Sequence, residues 1–368
     1  MLKRLYVDNY KCLVNFEFAP QQVQLLLGIN GTGKSSVFDV LSLLRDFVLG
    51  EGTALDLFPT SAMTRWDGRN RQTFESDVDV NYSTYRYRLE IEHQVSGLPA
   101  FVLLESLHFD QRLLFEFKIS QVQLYREDFS PGPRFQFDWT RSALGVVGSR
   151  QDNSLVNRFW EWLRQLQVTR INPFAMTGVS DREDANPRSD MTNFASWYRH
   201  LVQEDPELVS RLIQTLREVW DGFAGLRLEK VGPSARVLKC QLESAGTREE
   251  YALEELSEGQ RVLLVFYTLV HFARSHPEVL LCLDEPDNFV ALAEIQPWLA
   301  TLSEDAADHG AQILFISHHP EVMNYLTTER TVILKRSEGG PTRIVPFEVD
   351  PKTTLTPAEI VARGWENE

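Results

Sequence analysis

A glycine-rich segment, Gly28 to Ser35, has the residue types and spacing of a loop that holds phosphate groups. In the pattern G-x-x-x-x-G-K-S, glycines let successive backbone N–H groups turn inward around a phosphate, and the following helix adds the positive end of its dipole. The Lys34 ammonium would reach the β- and γ-phosphates of a nucleotide, and the Ser35 hydroxyl would bind Mg²⁺. The expected nucleotide-binding residues of this loop are Asn30, Gly31, Thr32, Gly33, Lys34, Ser35 and Ser36.

Two adjacent carboxylates, Asp284 and Glu285, follow the short apolar run 279–283. Such a continuous run is typical of a parallel strand covered on both faces. Ligands of open α/β sheets collect at the carboxyl ends of these strands. If Lys34 binds a nucleotide, Asp284 would hold Mg²⁺ through water and Glu285 would polarise the attacking water. A solvated acidic turn is the alternative for such a pair.

The segment 256–261 precedes a helix that apolar periodicity continues to Ala273. Ser257 can cap that helix, and Gly259 permits close approach of another backbone. The helix N-terminus is therefore a second candidate anion site. A plain capped helix is the alternative.

The order of these segments resembles that of the ATP-binding cassette (ABC) ATPases, in which a phosphate loop, an L-S-G-G-Q loop and a D-E-P motif follow one another. Here residues 256–260 read L-S-E-G-Q, with Glu258 in place of the first glycine. The resemblance also implies a switch histidine after the last core strand, for which His318 aligns best and His319 is the alternative. It implies a signature loop, acting on the nucleotide of a second copy, formed by Ser257, Glu258, Gly259 and Gln260.

The opening segment 5–13, L-Y-V-D-N-Y-K-C-L, resembles the start of the ABC branch that contains RecF, the structural-maintenance-of-chromosomes (SMC) proteins and the AAA_21-type and OLD-like ATPases. The long separation of Lys34 from Ser257 disfavours a compact transport cassette. Residues 172–174, Asn-Pro-Phe, and the D-E-P motif favour the AAA_21 type, with RecF as the closest alternative. Since no carboxylate cluster follows His318, we expect an AAA_21 ATPase without a nuclease domain.

The same resemblance suggests two further residues for the nucleotide site. Lys11 is a candidate nucleotide-binding residue, and a solvated lysine at a strand end is the equally weighted alternative. Gln72 is the best candidate for the glutamine that relatives place at the metal. The expected metal ligands are Ser35, Asp284 and Gln72.

The surrounding pattern predicts an α/β fold: a P-loop NTPase head of the ABC type with a mixed or antiparallel β lobe, a helical insertion and no long coiled coil. Buried strands at 23–27, 279–283 and 313–316 would form a parallel core from the two ends of the chain. The period of two between 74 and 139 indicates antiparallel strands. The expected units are 1–50 with 245–345 (ATPase core), 51–150 (β lobe), 151–244 (helical insertion and return strands) and 346–368 (C-terminal tail).

Composition limits the classes of partner and location. The net charge of −15 argues against a broadly basic surface for nucleic acid. No apolar run reaches the roughly 18 residues of a membrane helix, so we expect a cytoplasmic protein with no membrane contact. The widely spaced Cys12, Cys240 and Cys282 favour buried free thiols over metal ligands.

The resemblance implies an ATPase that uses ATP and Mg²⁺, with Glu285, His318 and Lys34 as catalytic residues. It implies a homodimer that shares its ATP sites and acts as a switch in DNA maintenance or prokaryotic anti-phage defence, regulating a separate effector such as a nuclease. The alternatives are a RecF-like repair ATPase, a transport cassette with a separate membrane subunit, and a non-hydrolysing nucleotide-sensing scaffold. DNA is a possible partner, although a solvated face is the favoured interpretation of its candidate arginines Arg65, Arg69, Arg71, Arg86 and Arg88.

Overall fold

The computed structural model describes residues 1–94, 100–147, 153–244, 246–326, 328–337, 339–349 and 353–364. In these ranges the chain forms three β-sheets and nine α-helices. The first eight strands in chain order are β1 (Leu2–Asp8), β2 (Phe16–Phe18), β3 (Val23–Leu27), β4 (Arg71–Val80), β5 (Ser83–Glu92), β6 (Phe101–Phe109), β7 (Arg112–Lys118) and β8 (Gln121–Tyr125). The other ten are β9 (Pro131–Gln136), β10 (Gln167–Thr169), β11 (Val179–Ser180), β12 (Phe223–Lys230), β13 (Arg236–Ser244), β14 (Thr247–Ala252), β15 (Leu280–Asp284), β16 (Gln312–Ile316), β17 (Thr331–Arg336) and β18 (Thr342–Pro346).

The helices connect and cover these sheets. They are α1 (Lys34–Leu49), α2 (Ala54–Leu57), α3 (Ser154–Gln165), α4 (Phe194–Glu204), α5 (Pro206–Val219), α6 (Glu258–Ser275), α7 (Leu292–His309), α8 (Pro320–Tyr325) and α9 (Pro357–Ala362). The longest described helices, α6 and α7, have 18 residues each, so the described ranges contain no long coiled coil, as expected. No described helix is both long and apolar enough to cross a membrane.

A six-stranded sheet positions the predicted chemistry, with the spatial order β10-β15-β16-β3-β17-β18. The first five strands run parallel to their neighbours, and β18 pairs antiparallel with β17. The sequence predicted the parallel set β3, β15 and β16, and every residue of these three strands is buried. The parallel core from the two ends of the chain is therefore confirmed.

Two hydrophobic clusters cover the two faces of this sheet. On β15, Cys282 packs into the cluster that contains Val37 of α1, whereas Leu281 and Leu283 pack into the cluster that contains Phe266 of α6. Alternate residues of one strand thus enter opposite cores, which is why the sequence shows a continuous apolar run instead of an alternating one. Helix α1 covers one face, and α6 and α7 cover the other.

The predicted antiparallel lobe is an eight-stranded sheet with the order β2-β1-β4-β5-β6-β7-β8-β9. Segment 131–133, Pro-Gly-Pro, forms the start of the edge strand β9. An edge position suits proline, because its missing N–H removes no ladder hydrogen bond from the sheet interior. The strands β1 and β2, which the sequence placed with the ATPase core, pair within this antiparallel sheet.

The third sheet has β13 paired with β11, β12 and β14. The return strands expected within 151–244 are β12 and β13, which pair antiparallel, and the residues of β14 are mostly exposed. Asp205 separates α4 from α5. The Asp205 side chain accepts a hydrogen bond from the Leu208 N–H at 2.9 Å, and Pro206 occupies the first turn of α5.

The three cysteines are buried free thiols, as predicted. Burial raises the pKa of Cys240 to about 12 and raises that of Cys282 as well. Both thiols therefore stay protonated at neutral pH and are poor nucleophiles and poor metal ligands.

Candidate functional site

The phosphate loop has backbone conformations that favour glycine. The φ angles are +145° at Gly28, +84° at Gly31 and +97° at Gly33. A Cβ on Gly33 would lie 2.6 Å from the Cys12 sulfur, closer than real contacts allow. The folded turn therefore needs the glycines that the motif supplies.

Helix α1 begins at Lys34 with no capping side chain. Its N-cap residue is Gly33, and its first turn contains no acidic residue. The amide groups at this helix start thus remain open to an external acceptor, and the helix dipole favours an anion there. Asn30 and Ser35 are exposed, so both can reach a ligand.

The Lys34 side chain folds back over its own loop. Its Nζ donates a hydrogen bond to the Gly28 carbonyl at 2.5 Å and lies 3.3 Å from the Ile29 carbonyl oxygen. Burial lowers the pKa of Lys34, against the opposing influence of the charges on Glu285 and Asp284. The structure thus brings Lys34 and the two predicted carboxylates into one electrostatic site.

Glu285 is held in an unusual conformation directly after β15. Its φ is +49°, its N–H donates to the Ile316 carbonyl at 2.7 Å, and its Oε2 accepts a hydrogen bond from Asn288 Nδ2 at 3.1 Å. A left-handed backbone at a non-glycine residue costs on the order of 1 kcal/mol or more and is frequent at functional sites. These hydrogen bonds hold the exposed Glu285 at the carboxyl edge of the central sheet.

The two histidines after β16 have different surroundings. His319 Nδ1 accepts a hydrogen bond from the Glu321 N–H at 3.1 Å and so caps α8. Partial burial and the positive charge of Lys34 lower the pKa of His318, although Glu285 raises it. The charges of Lys34 and Glu285 thus act on His318, whereas His319 is engaged in capping α8, and the role of His318 as the switch histidine stays a prediction.

The predicted signature loop is an exposed capping box at the start of α6. Ser257 Oγ accepts from the Gln260 N–H at 3.3 Å, and Gln260 Oε1 accepts from the Ser257 N–H at 2.9 Å. A Cβ on Gly259 would lie 2.9 Å from the Phe289 carbonyl oxygen, so the glycine permits this close approach. Glu258 occupies the first turn of the helix. The loop therefore adjoins the segment that follows Glu285.

Arg170, which directly follows β10, was not predicted as a site residue from the sequence. Because Thr169 pairs with Leu283, Arg170 lies beside Asp284 at the sheet edge. Its Nε and Nη2 lie 2.6 and 2.5 Å from Asp284 Oδ2. Ligands collect at the carboxyl ends of parallel strands, so a residue directly after β10 is a candidate site residue. Because β10 has only three residues and follows a helical pattern, the sequence did not reveal it as a strand.

The arrangement of phosphate loop, acidic strand end and signature helix can be compared with known proteins. Residues 25–324 match the family model AAA_21, described as "AAA domain, putative AbiEii toxin, Type IV TA system". The chain belongs to the AAA_21 family. A search of curated protein sequences gave no match.

Solved structures show the fold of this AAA_21 protein. It is similar to an SMC head bound to the C-terminal winged-helix domain of ScpA, with a TM-score of 0.57 and 12% identity over 94% of this chain and 98% of that chain. It is also similar to a Pyrococcus furiosus SMC head with an extended coiled coil, bound to the C-terminal domain of ScpA. That second match has a TM-score of 0.53 and 10% identity over 99% of this chain and 98% of that chain. The expected fold of an SMC-like ABC-type head is therefore confirmed for this AAA_21 protein.

The residues of the AAA_21 protein fit Mg²⁺ together with a nucleotide. Ser35 is exposed in the first turn of α1, and Asp284 is the last residue of β15. One hydroxyl and one carboxylate are a usual protein donor set for Mg²⁺ when substrate phosphates supply other ligands. These two groups would hold the cation and let it neutralise charge on the phosphates.

The prediction of Gln72 as a metal ligand does not fit the structure. Gln72 is fully buried on β4, where its Nε2 donates to the Asn9 carbonyl at 3.0 Å and its Oε1 lies 2.9 Å from His93 Nε2. Both ends of the amide are therefore engaged inside the β lobe. Arg170, not a glutamine, occupies the sheet edge beside Asp284.

Lys11 lies on the phosphate-loop side of the AAA_21 protein but contacts α1. Its Nζ forms an ion pair with Asp39 at 2.7 Å, and its side chain is about half exposed. Burial alone would lower the pKa of Lys11, but the hydrogen bond to Asp39 and the negative charge there raise it. Lys11 thus remains a cation paired with Asp39 of α1, and its contact with nucleotide stays a prediction.

The candidate DNA-contacting arginines are largely neutralised by carboxylates on the β lobe. Arg86 pairs with Asp77 at 2.7 Å, and Arg88 pairs with both Glu75 and Glu90. The remaining pairs of this face are Arg69 with Asp8 and Asp67, and Arg71 with Glu90 and Glu92. This pattern fits the favoured interpretation of a solvated face better than a basic patch for phosphates.

Proposed function

We propose that the AAA_21 protein is an ATP-driven dimerisation switch. In this proposal two copies bind head to tail, so that the phosphate loop of each copy faces the signature loop of the other and encloses one ATP. The observation that supports it most directly is that one chain carries two different groups of candidate ATP-binding residues. Lys34, Glu285 and His318 converge at the sheet edge, while the signature loop 257–260 presents an exposed helix N-terminus beside Phe289.

The residues of the site have distinct roles in this proposal. The amides at the start of α1 and the Lys34 ammonium bind the phosphates, and Ser35 and Asp284 would hold Mg²⁺, which would supply further positive charge. Glu285 accepts the proton of the attacking water, and Asn288 orients that carboxylate through its hydrogen bond. His318, whose pKa responds to the charges of Lys34 and Glu285, would sense the terminal phosphate.

The exposed signature loop is suited to a partner copy. Its capping box satisfies the backbone groups of Ser257 and Gln260 without any other element. The amides of the first turn can then donate to a phosphate brought by a second molecule. Loss of the terminal phosphate removes the anion that both copies bind, and the pair separates.

We further propose that this switch controls a separate effector, such as a nuclease, in DNA maintenance or prokaryotic defence. The family description mentions a toxin of a type IV toxin–antitoxin system, which is in keeping with a defence role. The structurally similar SMC heads are bound to domains of ScpA, so a head of this fold can carry a partner protein. Co-purification of a second protein is the direct way to identify the effector.

A turnover assay tests the hydrolytic part of the proposal. The wild-type chain should release phosphate from ATP in a Mg²⁺-dependent reaction, and Glu285→Gln should lower the rate by about a hundredfold or more, because a general base contributes that much. The matched control is Glu250→Gln, which removes a carboxylate from the distant strand β14. Hydrolysis by Glu285→Gln at the wild-type rate would overturn the assignment of the base.

The same assay separates the switch from a non-hydrolysing scaffold. A scaffold would bind ATP without releasing phosphate, in the presence or absence of DNA. Stimulation of the wild-type rate by duplex DNA would favour DNA maintenance. An unchanged rate would favour control by the effector protein instead.

A further inference from the structure

Arg170 forms a close ion pair with a carboxylate that the site needs for its metal. The Asp284 side chain is only 5% exposed, whereas the Arg170 side chain is 50% exposed. Two guanidinium nitrogens contact the same oxygen, Asp284 Oδ2, at 2.5 and 2.6 Å. The buried carboxylate is thereby neutralised without any divalent cation.

The pair belongs to a line of alternating charges that reaches α1. Arg170 Nη2 also lies 3.5 Å from Asp39 Oδ1, and the other oxygen of Asp39 contacts Lys11 Nζ at 2.7 Å. Burial alone would lower the pKa of Arg170, but Asp284 and Asp39 raise it, so the guanidinium stays charged. Arg170 therefore has a second carboxylate within reach on its solvent-exposed side.

We propose that Arg170 competes with the divalent cation for Asp284. In the nucleotide-free chain Arg170 neutralises Asp284, and binding of the metal–nucleotide complex displaces the guanidinium toward Asp39. The inference rests on the proposed function only in that the site binds a metal–nucleotide complex. It makes Arg170 a positioning residue that sets the metal affinity of the site.

Charge and position together support displacement. A guanidinium and a divalent cation cannot both lie against Asp284 Oδ2 without strong repulsion, which the buried position of this carboxylate screens poorly. The arginine is the more exposed partner, and Asp39 already lies 3.5 Å from its Nη2. Arg170 can therefore leave Asp284 and keep a carboxylate partner.

Mn²⁺ serves as a spectroscopic probe for this competition. Full-length protein in excess over ADP keeps the nucleotide protein-bound, and the electron paramagnetic resonance signal of free Mn²⁺ reports metal binding. Arg170→Gln should bind Mn²⁺ about tenfold more tightly than wild type, since an opposite charge against a carboxylate changes its affinity for a competing cation by about that factor. Arg170→Lys keeps the charge but not the two-nitrogen contact. Its Mn²⁺ affinity should lie between those of wild type and Arg170→Gln.

The matched control is Arg227→Gln. Arg227 is 54% exposed and pairs with Glu250 on the third sheet, so its removal deletes an arginine of similar exposure, paired with a carboxylate outside the site. Its Mn²⁺ affinity should equal that of wild type. Thermal unfolding gives a second readout. Metal-free Arg170→Gln should have a lower melting temperature than wild type. Addition of Mg²⁺ and ADP should raise the melting temperature of this variant by more than that of wild type.

The outcomes distinguish the inference from the proposed function. If wild type binds ADP and Mn²⁺ but Arg170→Gln shows equal or weaker Mn²⁺ affinity, the competition is overturned while the nucleotide site stands. If wild type binds no ADP, both fail. A variant that melts lower by the same amount with and without Mg²⁺–ADP would mean that Arg170 is merely structural, and this result too would overturn the inference.

Discussion

The Gly28 Cα lies so close to Leu334 that a Cβ on this glycine would approach the Leu334 carbonyl oxygen to 2.4 Å. The phosphate loop is thus packed directly against β17, the strand next to β3 in the central sheet. The geometry of the loop therefore depends on a strand more than 300 positions away in the sequence. Because of this contact, replacing glycines by alanine should destabilise the chain to different degrees at different positions.

Gly28→Ala should lower the free energy of unfolding by at least about 2 kcal/mol, because it combines a backbone clash with an unfavourable φ. Gly31→Ala has the same type of φ, +84°, but a Cβ there meets nothing within 4 Å, so we expect a loss of about 1 kcal/mol. Gly68→Ala, which has neither problem, should stay within about 0.5 kcal/mol of wild type. Urea unfolding of the three variants checks this order, and equal losses at Gly28 and Gly31 would contradict the role of Leu334.

The stability of the chain should depend on pH through His271, which is buried on α6. Its Nε2 lies 2.9 Å from Thr215 Oγ1, and its Nδ1 has no hydrogen-bond partner in the described part of the chain. Burial, helped by the positive charges of Arg274 and Arg211, lowers the pKa of His271 to about 4. The unfolded chain therefore takes up a proton near pH 6.5, which the folded chain accepts only near pH 4.

This difference in bound protons sets the direction in which the free energy of unfolding changes with pH. The free energy of unfolding should be unaffected by His271 above about pH 6.5 and should fall as the pH decreases toward 4, by at most about 3 kcal/mol. His271→Gln keeps an amide that can bond to Thr215 but does not titrate, so it should lack this part of the pH dependence. Urea unfolding of both proteins at several pH values between 4 and 7.5 measures the difference, and parallel curves would contradict the assignment.

Local patterns predicted much of the site because they carry their own geometry. The glycines of the phosphate loop, the acidic end of β15 and the capping residue Ser257 each specify a local conformation that the structure contains. Gly50 likewise ends α1 with a φ of +82°. These features need no knowledge of distant residues.

The features that the sequence did not predict depend on pairing between distant segments. Strand β10 has three residues and is recognisable only by its position beside β15, so Arg170 could not be assigned to the site. Gln72 occupies a plausible place in the sequence, yet its amide is directed to Asn9 and His93 by the packing of the β lobe. In both cases sheet pairing, not the local pattern, decides which side chain lies beside Asp284.

We expect ATP to join two copies of the chain. Size-exclusion chromatography with light scattering, applied to Glu285→Gln, measures it directly. With Mg²⁺ and ATP the variant should elute with about twice the monomer mass of 42.3 kDa, and without nucleotide it should return to 42.3 kDa. The double variant Lys34→Ala, Glu285→Gln should remain at the monomer mass in both conditions. A mass of 42.3 kDa with ATP, or a dimer that forms equally without it, would contradict the account.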